Sequence, residues 1–129
     1  MKKDEALRKK LMDTFAAEAE EGMERIQLGL RRLVEAEDSG NRSEILIDLH
    51  RSAHSLRGAS RSVERIDLEG LFRSLERIFD NMLEAEPSVE VAAALRQSVK
   101  GIGDILSGVA DSALQEEIAS RLRTLEQDR

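Results

Sequence analysis

The chain has 129 residues, 40% of them hydrophobic, so it can bury one core without staples, and its net charge of −6 argues against general nucleic-acid binding. Cysteine is absent, which excludes a disulfide framework, a thiolate metal site and a catalytic thiol. Aromatic residues make up 2%, and Leu, Ala, Glu, Arg and Ser dominate, a composition that favours helices over sheets.

The opening MKKDEALRKKLMD places charges where a secretory signal needs an apolar run. No stretch approaches the roughly 18 apolar residues of a membrane span. A cytoplasmic protein without membrane insertion is expected.

The first predicted helix runs from about Asp4 to Ala36. Leu7, Leu11, Phe15, Ala19, Met23, Ile26, Leu30 and Leu33 recur in steps of three and four, so they read as one buried stripe. Asp38-Ser39-Gly40-Asn41 breaks it, and Ser43 is the expected N-cap of a second helix carrying Ile45, Leu46, Leu49, Ala53, Leu56, Ser60 and Val63. Asp67 is the expected cap of a third helix with Leu68, Leu71, Phe72, Leu75, Ile78, Phe79 and Met82. Pro87-Ser88 stops and recaps the chain before Val91, Leu95, Val99, Ile102 and Leu106. Gly108 and Asp111 mark a last stop and cap, followed by Leu114, Ile118, Leu122 and Leu125.

Short connections make consecutive helices antiparallel. The predicted fold is therefore all-α: an antiparallel up-down bundle of four helices over about 4–108, with an additional C-terminal helix over about 111–127. The whole of 1–129 reads as a single domain.

One stretch of the second helix carries chemistry. Ala53-His54-Ser55-Leu56-Arg57-Gly58-Ala59-Ser60 sets one of only two histidines beside a cation and a helix-interior glycine. Glycine there costs about 1 kcal/mol against alanine, so close approach of another body to this face is a reason for it. At about 100° per residue, with His54 at zero, Gly58 falls at about 40° and His50 at about −40°. Arg51, Arg57 and Arg61 lie within about 60° of His54, while Leu49, Ala53, Leu56, Ser60 and Val63 occupy the opposite arc. An imidazole beside a missing side chain, in a fan of guanidinium groups, meets the needs of phosphoryl transfer: a nucleophile, access, and cations for the transferred charge.

Arg51-Ser52-Ala53-His54-Ser55-Leu56-Arg57-Gly58-Ala59 resembles the motif Arg-x-x-His-[Ser/Thr]-[Ile/Leu]-Lys-Gly-[Gly/Ser/Ala] of histidine-containing phosphotransfer (HPt) domains, especially the N-terminal domain of CheA-type chemotaxis kinases. Leu71 to Asp80 and Phe15 to Glu21 are similar to the helices that flank it in that family. The resemblance implies that His54 accepts phosphate, Glu76 holds the imidazole proton, Arg57 stabilises charge and Gly58 leaves access. Partner contacts are further expected for Arg51, Ser55, Arg61 and Arg73.

Arg57 stands where lysine is usual, Arg73 where the chemotaxis branch has a second histidine, and Glu64-Arg65 where Gly-Phe connects the helices. The implied partners are the ATP-binding domain of a histidine kinase and the receiver domain of a response regulator. No cofactor is expected in this chain; ATP and magnesium act at the kinase, and a parent of CheA type would itself be a histidine kinase.

Two other readings compete. A helical bundle can be an adaptor that docks on partners without carrying phosphate. His50 and His54 form an H-x-x-x-H pair, which binds metal only if further ligands converge. His50 otherwise reads as solvated.

Overall fold

A computed structural model describes residues 2–127, and among these it contains five helices and no strand. They are α1 (Lys2–Glu35), α2 (Ser39–Ser62), α3 (Ile66–Glu84), α4 (Val89–Leu106) and α5 (Ser112–Gln127). The architecture is all-α, as the helical periodicities imply, and the connections are short enough to reverse direction at each step.

The helix starts show which local signals won. Asp38, in extended backbone with φ −110° and ψ 154°, caps α2 by accepting from the Asn41 N–H at 2.6 Å. Ser43 was the expected cap; the carboxylate five residues earlier captures the free N–H groups first, and Ser39-Gly40-Asn41 becomes the first helical turn. Asp67 likewise does not cap α3, which begins at Ile66 after a tight turn with Glu64 at φ 60°. Asp67 lies inside the first turn and receives a bidentate pair from Arg65, at 3.0 and 2.9 Å. Ser88 and Asp111 do cap α4 and α5, accepting from the N–H groups of Val91 (3.1 Å) and Leu114 (2.9 Å).

α2 packs against α1 on one side and α3 on the other. The approach to α1 is close because of Gly22 and Gly29: a Cβ at either would stand 2.7 Å from Leu56 Cδ2 or 2.6 Å from Leu49 Cδ2. α5 lies against both α3 and α4, and α4 against α1, so the helices close in the order α1, α2, α3, α5, α4. Ile118, Leu122 and Leu125 of α5 belong to the same core as Phe15, Ile26, Leu46, Phe72, Phe79, Leu95 and Ile102. The C-terminal helix is thus part of the core wall.

α1, at 34 residues, is about 50 Å long and outruns the 24 residues of α2. Leu7 and Leu11, expected in the buried stripe, are consequently exposed, and the stripe is buried only from Phe15 onward. Periodicity reports a face, but only a neighbouring helix buries it. No described helix is long and apolar enough to cross a membrane.

Candidate phosphotransfer site

α2 turns Leu46, Leu49, Ala53, Leu56 and Ser60 into the core. The opposite side of the helix faces solvent and the edge of α3, and there the His54 side chain is 61% exposed. Because α2 and α3 run antiparallel, each step of four along one is answered by a step of four back along the other. His54 meets Glu76, and one turn away His50 meets Asp80.

His54 Nδ1 lies 3.1 Å from Glu76 Oε1. The same oxygen is 3.1 Å from Arg57 Nε, while Arg57 Nη2 is 3.2 Å from His54 Nδ1. A neutral imidazole nitrogen either donates or accepts, so Nδ1 cannot serve Glu76 and Arg57 at once. The carboxylate decides. Glu76 is 8% exposed, and a buried anion without donors is far costlier than a guanidinium nitrogen left facing water. Nδ1–H therefore donates to Glu76 Oε1, Arg57 Nε–H donates to the same oxygen, and the lone pair is left on Nε2. Hydrogen-bond partners assign this tautomer.

Gly58 has nothing within 4 Å of the place where a Cβ would be. No internal packing requires the glycine, so its effect is to lower the helix surface one turn beyond the imidazole.

The other expected site residues divide by side. Arg57 joins the His54–Glu76 cluster. Arg61 is exposed on the same helix, and Arg73 is exposed on α3, 3.3 Å from Glu69. Arg51 and Ser55 instead line a groove of about 310 Å³ between α1 and α2, with Arg25 and Arg32, and Arg51 lies 3.6 Å from Asp48.

His50 is not the solvated residue expected. It is half-buried, with Nε2 3.4 Å from Asp80 Oδ1, longer than a well-made hydrogen bond. Its ring is parallel to that of His54 within 8°, centroids 6.5 Å apart. Asp80 and Arg77, which reaches Glu126 of α5 at 3.4 Å, also escaped the sequence reading. Extending the His54–Glu76 match by four residues in each direction would have found the His50–Asp80 pair. Among the described residues no group of three or more histidines and carboxylates is arranged to hold a metal ion.

Comparison with known families matches residues 10–128 to the model of the Hpt domain. No curated protein and no solved structure is significantly similar to the chain.

Proposed function

The chain belongs to the Hpt domain family, whose members are phosphocarriers of two-component signalling rather than enzymes on their own, and from that premise we propose that His54 is its phosphoacceptor. The observation that supports this reading is the Glu76 carboxylate 3.1 Å from Nδ1 of a ring that is otherwise open to solvent.

With the proton held at Nδ1, the Nε2 lone pair attacks the γ-phosphorus of ATP bound in a histidine kinase domain. The N–P bond forms as the bond to the ADP oxygen breaks, in line, and magnesium and ATP belong to that kinase. The ring then carries positive charge, which the Glu76 carboxylate offsets, and Arg57 faces the new phosphoryl charge. In the second step a receiver aspartate oxygen attacks phosphorus, the N–P bond breaks, and the imidazole returns to its starting form. Gly58 gives the partner's pocket room to close on the ring.

The kinship we favour is with the chemotaxis-kinase branch, on the strength of the motif around His54. Arg73 in the position of that branch's second histidine removes an imidazole that could tune the acceptor, so here Arg57 and Glu76 carry the tuning.

Incubation with a histidine kinase catalytic domain and γ-labelled ATP tests the assignment. Acid-labile, base-stable label is expected on the parent chain and on His50→Gln, and none on His54→Gln. An unlabelled parent chain would favour the adaptor reading. Equal loss in both variants would mean that the acceptor is shared or misassigned.

A further inference from the structure

Arg42 stands near the start of α2, about 18 Å along the helix from His54. Its side chain is 20% exposed, and its Nη2 is fully covered yet has no hydrogen-bond partner. Among the described residues it is the only buried side-chain nitrogen or oxygen in that state. A covered guanidinium nitrogen without an acceptor is costly, and folded proteins rarely keep one. The chain offers little relief. Asp38, one turn earlier, accepts from the Asn41 N–H, and the ion pair that Arg42 makes is with Glu86, 3.9 Å from Nη1. Glu86 is 79% exposed, so solvent screens that pair and its carboxylate can turn away.

Arg42 lines a cavity of about 320 Å³ between the end of α1, the α3–α4 connection and the start of α4. The cavity rests on the apolar core, with Leu33, Met82 and Leu95 in its walls, all three buried. Val34 and Val89 also line it and are 69% and 80% exposed, a rim that an apolar ligand would cover. Arg96 is the second cation on the cavity; it is exposed and makes no ion pair among the described residues.

Two cations with unused donors beside apolar walls describe a ligand with one anionic head and an apolar body. We propose that this cavity binds a small amphipathic monocarboxylate, its head held by the Arg42 guanidinium and faced by Arg96. The planar carboxylate suits the guanidinium fork, which can give it two parallel N–H bonds. Volume sets the size of the body. At roughly 30 Å³ for each water-sized group, the cavity takes about ten non-hydrogen atoms, a chain of about eight carbons. On binding, Arg42 exchanges a distant, screened partner for a close one, and Glu86 turns to solvent. The site is separate from the His54 cluster and does not depend on the phosphocarrier reading.

Octanoate is the probe, titrated into the full chain and followed by amide NMR. Saturable shifts are expected at Leu33, Arg42, Val89 and Leu95, with half-saturation near about 1 mM, the range for about ten non-hydrogen atoms. The melting temperature should rise as octanoate passes that concentration. Octan-1-ol, which keeps the body, and acetate, which keeps the head, should each bind at least about tenfold more weakly. Arg42→Met keeps the apolar stem without the charge and should weaken octanoate about tenfold. Arg96→Met, at an exposed position that the fold does not need, should weaken it about threefold. Absence of saturable shifts overturns the site, and so do shifts centred on another surface. Equal binding of octanol would reduce it to an apolar hollow and also overturn it. Unchanged octanoate affinity in Arg42→Met or, should that chain not fold, in Arg96→Met removes the cations from the site and overturns the proposal.

Discussion

An imidazole carries phosphate only if one nitrogen keeps its lone pair while the other keeps its proton. In this protein the partition rests on Glu76, because Arg57 lies close enough to Nδ1 to compete for it. Removing the carboxylate should let Arg57 Nη2 donate to Nδ1 and move the proton to Nε2, the unreactive arrangement. Glu76→Ala is therefore expected to slow phosphorylation of His54 by about 10–100-fold, the usual effect of losing a partner that orients a reacting ligand. Nitrogen NMR of the ring should show the Nδ1–H form in the parent and the Nε2–H form in the variant. A thermal melt should move little, because Arg57 can turn to water. Normal labelling together with an unchanged tautomer would remove Glu76 from the mechanism.

Between elements, two features of the α2–α3 hairpin make separate predictions. Gly58 is open space, so Gly58→Leu meets no clash and should raise helix propensity by roughly 0.5–1 kcal/mol. The same side chain would stand one turn from the imidazole and hold a partner's pocket away from it. Transfer to a receiver should be blocked in a protein that melts slightly higher; unchanged transfer would show that the glycine is not an access site. Asp67, in the first turn of α3, is held below the usual carboxylate range, first by its hydrogen bonds from Arg65 and then by the Leu68 N–H and the Arg65 charge, against some desolvation. A carboxyl lowered in the folded state contributes stability above its unfolded value of about 3.9 and loses it as pH falls through the folded value. The pair is largely solvated, with Asp67 42% exposed, so its contribution stays near the 0.2–1 kcal/mol of exposed pairs, about the lower half of that range. Asp67→Asn should thus melt slightly below the parent at pH 7, with the difference closing in strong acid.

For the molecule as a whole, α5 is the element whose removal exposes the most about how the site is held. It packs on α3, the helix that carries Glu76, and a Cβ on Gly101 of α4 would run into Ile118. Leu122 is fully buried in the shared core. Leu122→Ala is expected to cost about 2–5 kcal/mol in denaturant unfolding, as for other buried leucines. Label uptake at low temperature should persist, because Leu122 is not a member of the His54–Glu76–Arg57 cluster. A variant with unaltered stability would mean that α5 is detachable from the core.

The boundary between sequence and tertiary structure falls along the range of the forces involved. Helix class, the Ser88 and Asp111 caps, the burial of Leu49, Ala53 and Leu56 and the exposure of His54 are consequences of a 3.6-residue period and of local hydrogen-bonding chemistry, so the sequence alone determined them. Glu76 was reachable only through family resemblance, since nothing within α3 distinguishes it from other glutamates. Its place beside His54 exists because two helices meet in one register. That register also half-covered His50 and matched it with Asp80. The exposure of Leu7 and Leu11 was decided the same way, by where the neighbours of α1 end. Periodicity states which face of a helix is apolar. Which residues stand opposite that face, and whether any do, depends on contacts between segments that no local pattern encodes.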